Sequence, residues 1–209
     1  MQGNDLIMEA NDTRKYEHEH GCGRCKRRGP SSFWMHDPKV IFKAIGLNNG
    51  ECFLDLGCGS GDYAIYAAGI VGDSGSVYAV DRSKEMVNNL IEIADSQGLK
   101  NVIGIISDIT TPLPMQDHCI DVCFISTVLH TLNISEAMGP LLEEVRRVLK
   151  PTGRLAIIEC KKQDQSFGPP KHMRLSPDEI EVFTKSYSFK RTGFTDLDYN
   201  YLIQFELMK

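Results

Sequence analysis

The sequence predicts an α/β fold built on a doubly wound, mostly parallel sheet, and three observations carry that prediction. Five short, nearly continuous apolar runs of β type recur at 51–56, 76–80, 102–106, 120–126 and 154–159. Such runs suit parallel strands that are buried on both faces. Between them lie segments with helical spacing at about 61–70, 83–97 and 135–149. Strict alternation of the two patterns is the signature of β-α-β crossovers.

The elements are justified in chain order. Residues 1–36 are polar, lack a sustained apolar period, and read as an N-terminal arm or lid that is partly flexible. At Asp37-Pro38 a capping residue precedes a proline suited to the first helical turn, and Val40, Ile41, Ala44 and Ile45 follow before Gly46. A short helix therefore opens a domain that runs over 37–209. The helix at 83–97 is closed by Gly98. In the helix at 135–149, Ser135 is placed as the cap and Leu141, Leu142, Val145, Val148 and Leu149 as the apolar stripe. Ser176-Pro177-Asp178-Glu179 has the spacing of a capping box and starts a further helix to about 187. The tail from 191 to 208 reads as two strands split near 196–200, a link short enough only for an antiparallel pair.

Composition narrows the function classes. The 209 residues carry 23 Lys and Arg against 28 Asp and Glu, a formal charge of −5. A net acidic chain of this size suits one soluble domain and disfavours a general binder of nucleic acid or anionic membrane. No apolar run approaches the roughly 18–20 residues that span a bilayer, and no basic-then-apolar leader opens the chain, so no membrane association and a cytoplasmic location are expected. Seven cysteines make an odd count, which points to reduced thiols or a metal site rather than a disulfide framework.

The most informative stretch is Cys52-Phe53-Leu54-Asp55-Leu56-Gly57-Cys58-Gly59-Ser60-Gly61, an apolar strand that runs into a glycine-rich turn and then a helix. Glycines there let backbone approach a ligand with no Cβ in the way. Asp81 lies twenty residues beyond Gly61, at the end of the second strand, where a carboxylate can accept both hydroxyls of an adenosine ribose. Nicotinamide and S-adenosylmethionine sites share these features, and three others separate them. Asp55, two residues before the first loop glycine, would repel a pyrophosphate but suits the ammonium of a methionyl group. The spacing Gly57-x-Gly59-x-Gly61 lacks the final glycine of the dinucleotide fingerprint. Ser107-Asp108-Ile109 follows the third strand, where an acid and an apolar neighbour can hold an adenine amino group and ring face.

The run from Leu54 to Gly61, together with Val80-Asp81, Ser107-Asp108, Leu129-His130 and Leu149-Lys150-Pro151-Thr152-Gly153, resembles class I S-adenosylmethionine-dependent methyltransferases, closest to the ubiquinone- and menaquinone-biosynthesis type. The resemblance covers roughly 37–209 and implies a Rossmann-like seven-stranded sheet whose last strand is antiparallel. It implies that S-adenosylmethionine is the cofactor and a small molecule the methyl acceptor. Position by position it sets Asp55, Gly57, Gly59 and Gly61 around the methionyl end, Asp81 on the ribose, Asp108 with Ile109 at the adenine and Ser126 along the cofactor pocket. Cys58 and Arg82, adjoining these positions, complete the cofactor-binding set. Cys58 is expected to pack as a small hydrophobe rather than act as a nucleophile. The sequence departs from the usual pattern at Thr152, where glycine is commoner, a conservative change in a turn.

Methyl transfer from a sulfonium is an in-line displacement, so positioning dominates and no protein nucleophile is required. His130, just past the fourth strand, is the candidate base, and a structural cap is its alternative role. Glu159, ending the fifth strand, is a second catalytic candidate facing the acceptor, or else a solvated loop carboxylate. In the arm, His18, His20, Cys22 and Cys25 offer four donors of the types zinc takes, with Cys-x-x-Cys as a half-site; a thiol or metalloid-handling role and no special role are the alternatives. Arg24 and Lys26 to Arg28 make a short basic run that plain solvation explains. Two other functions stay open: a methyltransferase acting on RNA or protein, and a non-catalytic module that binds the cofactor or senses metal.

Overall fold

The computed structural model describes residues 31–208. Its centre is one seven-stranded sheet of β1 (Cys52–Leu56), β2 (Ser76–Asp81), β3 (Val102–Ile106), β4 (Ile120–Ser126), β5 (Leu149–Cys160), β6 (Phe189–Leu197) and β7 (Asn200–Leu207), in spatial order β3-β2-β1-β4-β5-β7-β6. The pairs from β3 through β5 are parallel, and β7 runs antiparallel to both β5 and β6. The expected doubly wound sheet with an antiparallel last strand is therefore present. Each crossover returns the chain to the same edge, so all parallel strands end on one side of the molecule.

Helices α1 (Pro38–Ile45), α2 (Asp62–Val71) and α3 (Lys84–Ser96) precede β4, while α4 (Ile134–Val148) and α5 (Pro177–Lys185) follow it. Period-two strands split the core into two layers. Phe53, Val122, Phe124, Ala156 and Leu202 pack with Ile41, Phe42 and Ile45 of α1, Tyr63, Ala64 and Val71 of α2, and Leu90 of α3. Leu54, Leu56, Cys123, Ile125, Leu155 and Ile157 pack on the other face with Leu141, Leu142 and Val145 of α4 and Ile180 of α5. Both faces of the central strands are covered, which is why their sequences are apolar without alternation.

Local signals act largely as their chemistry dictates. Asp37 caps α1 by accepting from Lys39 N at 2.9 Å, and Gly46 ends it in the left-handed region at φ 63°. Ser176 and Glu179 form the reciprocal capping box of α5, at 3.2 Å and 2.7 Å. Two details differ from the sequence reading, and a third, the hairpin link, falls within the expected 196–200 split. The cap of α4 is Asn133, and Ser135 instead sits inside the first turn, its hydroxyl donating to Asn133 Oδ1. Strand β5 begins at Leu149, because Leu149 pairs with Ile120 before the register shifts across the Lys-Pro-Thr-Gly stretch. The β6–β7 hairpin closes over just Asp198 and Tyr199, with Asp198 at φ 59°. None of the described helices is long and apolar enough to cross a membrane.

Ser176→Ala removes one half of the capping box and is expected to lower stability by about 1 kcal/mol. Urea unfolding followed by circular dichroism checks this, with the unfolding slope unchanged.

Candidate active site

The strand order reverses between β1 and β4, and in open α/β sheets the crevice at the carboxyl end of that switch point is where ligands sit. Gly57, Gly59 and Gly61 all adopt positive φ, at 77°, 52° and 81°. At two of them space also demands glycine: a Cβ on Gly57 would lie 2.5 Å from Val128 Cγ2, and one on Gly61 would lie 2.3 Å from Leu90 Cδ1. The loop is pulled tight by Gly57 N and Cys58 N, which donate to Val80 O at 2.8 and 2.9 Å.

Asp55 lies under this loop, 2% exposed, and its Oδ2 has no hydrogen-bond partner. Burial first, then the carboxylates of Asp81 and Asp62, push its carboxyl up to about 8. A buried carboxyl without a partner is costly when ionised. Asp81 at the end of β2 is already oriented, since Oδ2 accepts from Gly59 N at 3.0 Å and Oδ1 from Ser83 N at 2.8 Å. Each oxygen keeps a second lone pair for a ligand hydroxyl. Cys58 packs beside the α1–α2 core, and burial with Asp55 and Asp81 drives its thiol far above the usual range. That matches the expected packing role.

Asp108 is exposed and its Oδ1 accepts from Thr110 N and Thr110 Oγ1 at 2.9 and 2.7 Å, which holds its carboxyl below the usual range. Nearby Arg82, also exposed, adds to that effect. Ile109 is 7% exposed and belongs to the α4–α5 core. Ser126 ends β4, its Oγ 2.8 Å from Ser32 Oγ. Ser32 also lies 3.4 Å from Tyr63 OH and from Thr127 Oγ1, so four hydroxyls converge at the mouth of the crevice. Phe33, next in the chain, packs edge-on to Tyr63 at 5.1 Å, whereas Trp34 is 67% exposed. Sequence reasoning missed Ser32, Tyr63 and Thr127. Nothing marked Thr127 in advance, yet it holds φ 53°, a strained conformation for a β-branched residue. Its N–H donates to Ile158 O at 2.8 Å.

Beyond β4 the chain forms a short 3-10 turn, Leu129–Thr131, that carries His130 against the end of β5. Glu159 is fully buried, neither solvated nor facing an acceptor. Its Oε1 accepts from Leu129 N at 2.7 Å, while Oε2 takes Cys160 N at 3.3 Å and lies 3.0 Å from His130 Nδ1. An ionised carboxylate can only accept, so Nδ1 carries the hydrogen, and it is the neutral form of the ring that has its lone pair on Nε2. Cys160 is buried beside them, and burial followed by the Glu159 charge pushes its thiol up to about 11.

His130 borders a groove of about 640 Å³ with apolar walls from Leu132, Ile134, Met173, Leu175, Val182 and Phe183 and polar groups from Lys162 and His172. One wall comes from the long connection between β5 and α5, fixed by a residue the sequence did not single out. Arg174 is 3% exposed and donates to the carbonyls of Pro169, Gln163, Phe167 and Lys161 at 2.7, 2.8, 3.0 and 3.2 Å. His18, His20, Cys22 and Cys25, and the basic run after them, lie outside the described residues.

Sheet order, glycine loop and strand-end acid together define the class of open α/β proteins whose ligands sit at the switch point, and here a groove lies beyond β4. The sequence pattern of a family described as a methyltransferase domain matches residues 47–200, and the chain belongs to that family. Its relatives include a demethylmenaquinone methyltransferase of Lactobacillus johnsonii, 34% identical over 124 residues, which are 59% of this chain and 50% of the relative. A 2-phytyl-1,4-naphtoquinone methyltransferase of Trichormus variabilis is 33% identical over 121 residues, 58% of this chain and 52% of that one. The chain thus spans about half the length of the curated relatives it matches. Among solved structures, a SAM-dependent methyltransferase from Aquifex aeolicus superimposes with a TM-score of 0.78 at 32% identity, over 86% of this chain and 94% of that one.

The raised Asp55 carboxyl has a signed consequence. Between its ordinary value of 3.8 and about 8, the native state keeps a proton that the unfolded chain has released. Stability of the ligand-free protein therefore falls as pH rises from about 4 to about 8 and levels off above. Thermal unfolding against pH checks this, and Asp55→Asn is expected to remove that slope.

Proposed function

We propose that the chain transfers a methyl group from S-adenosylmethionine to a small, mainly apolar acceptor that gives up a proton to His130. The observation that carries the cofactor is the buried, unpartnered Oδ2 of Asp55 beneath a loop of positive-φ glycines, a carboxyl that a ligand ammonium would ionise and pair. The residues present fit the group. Asp55 would hold its ammonium, Gly57, Cys58, Gly59 and Gly61 its methionyl end, Asp81 its ribose hydroxyls, and Asp108, Ile109 and Arg82 the adenine side. When bound, S-adenosylmethionine supplies a methyl carbon on a positively charged sulfur, open to in-line displacement.

The chain's own contribution is positional. Ser32, Tyr63, Ser126 and Thr127 line the passage between crevice and groove and limit water there. Glu159 acts through His130 and not on the acceptor: it holds Nδ1–H and so presents the Nε2 lone pair to the groove. Such a base suits an acidic O–H or C–H, as in a hydroxylated aromatic ring, and the apolar walls suit a hydrocarbon substituent. Relatives named for demethylmenaquinone and phytylnaphthoquinone support that acceptor class. We assign 37–209 as the catalytic domain, with the segment before it supplying Ser32. The described cysteines are free, which suits a reducing, cytoplasmic setting.

The test is transfer of isotopically labelled methyl from S-adenosylmethionine to reduced naphthoquinones and simpler hydroxyaromatics, read by mass spectrometry. Asp81→Ala is expected to weaken cofactor binding. His130→Ala is expected to lower kcat by about 10²–10⁴ with cofactor affinity retained. Unchanged kcat in His130→Ala would remove the base, and unchanged affinity in Asp81→Ala would remove the cofactor placement.

A further inference from the structure

Where β4 and β5 end, three different donors meet: a ring nitrogen of His130, a carboxylate oxygen of Glu159 and Cys160 Sγ all lie within 4.8 Å of one another. We propose that this cluster is a regulatory site for a thiophilic divalent transition ion of the zinc class, and that occupancy switches the His130 base off. The switching part rests on the proposed role of His130; the binding part does not.

The geometry carries the binding. Nδ1 and Oε2 are already 3.0 Å apart, close to the separation of neighbouring ligands on an ion held at about 2.0–2.2 Å from nitrogen and oxygen and about 2.3 Å from sulfur. Imidazole, carboxylate and thiolate together select a borderline-soft ion over magnesium or calcium, which prefer oxygen. Glu159 is fully buried and faces no fixed cation in its hydrogen bonds, so an ion would supply the countercharge that neutral donors only approximate. Three protein ligands are one short of the four that zinc usually takes.

The effect on the base follows from proton bookkeeping. Cys160 binds as thiolate and releases one proton. His130 gives up the Nδ1 hydrogen to make the metal bond and takes a proton at Nε2, so the ring stays neutral with no net exchange. Nε2 then faces the groove as an N–H donor and can no longer accept the acceptor's proton. The ion and the catalytic lone pair are thus alternatives at one ring.

The experiment uses the full chain, freed of metal, in wild-type, Cys160→Ser, Glu159→Gln and Cys22→Ser/Cys25→Ser forms. Cobalt(II) is the spectroscopic probe and zinc the inhibitor. The expected result is a thiolate-to-cobalt charge-transfer band at one equivalent in the wild type and in Cys22→Ser/Cys25→Ser. The band is absent in Cys160→Ser, and cobalt binds Glu159→Gln more than about tenfold more weakly. Zinc is expected to inhibit methyl transfer in the wild type, while Cys160→Ser turns over normally without metal and resists zinc. A band that survives in Cys160→Ser, or none in the wild type, overturns the site. A band lost in Cys160→Ser with turnover indifferent to zinc keeps the site and overturns the switch, even where methyl transfer itself is established.

Discussion

The burial of Asp55 without a partner is the constraint on which the rest of the site depends. An ionised carboxylate in that position has no donor to answer it, so the empty protein favours the protonated form. The surrounding architecture shows why it is kept. Asp55 stands on the central strand, flanked by β2 and β4, and the glycine loop closes directly after it. On the proposed function, a cationic group of the cofactor offsets on binding what this residue costs the empty fold. The same logic sets the loop: Gly57 yields its side-chain space to Val128 and Gly61 to Leu90, so the loop itself presents backbone there.

A second buried carboxylate, Glu159, is handled in the opposite way. Both its oxygens are occupied, and through Nδ1 it fixes which nitrogen of His130 faces outward. The two acids sit at the ends of strands separated by β4 alone, one without a partner and the other with both oxygens engaged. At the end of β4, the strand between them, the strained Thr127 and the hydroxyls of Ser32, Tyr63 and Ser126 come together. The far wall of the groove depends on Arg174, a buried guanidinium that exchanges an ion pair for four backbone carbonyls and so stiffens a connection with little regular structure of its own.

The fold was legible in the sequence because its signals are local. Apolar strand runs, Asp37-Pro38 and the Ser176 capping box each act within a few residues, and the cofactor loop declares itself by glycine spacing. The α4 cap was misplaced because Asn133 and Ser135 are both good capping residues and only the entering chain direction decides between them. The start of β5 was placed late because Lys150 to Gly153 read as a turn, while pairing with β4 begins already at Leu149. At the site, Asp55, Asp81 and His130 could be named from position along the chain. The hydroxyl cluster could not, since Ser32 meets Ser126 across 94 residues and no pattern encodes that meeting. Glu159 was found but its orientation was not, because whether a strand-end acid turns outward or inward depends on the turn that crosses it. Arg174 and Cys160 are likewise defined only by what folds around them.

Calorimetric titration of the purified chain with S-adenosylmethionine, S-adenosylhomocysteine and NAD in parallel, repeated at pH 7 in buffers of different ionisation enthalpy, tests the central claim most directly. The account predicts binding of both sulfur nucleosides, no binding of NAD, and net proton release that disappears in Asp55→Asn, because the ligand ammonium drives Asp55 to ionise. Binding of NAD in their place, or no binding of either sulfur nucleoside to folded protein, would contradict it.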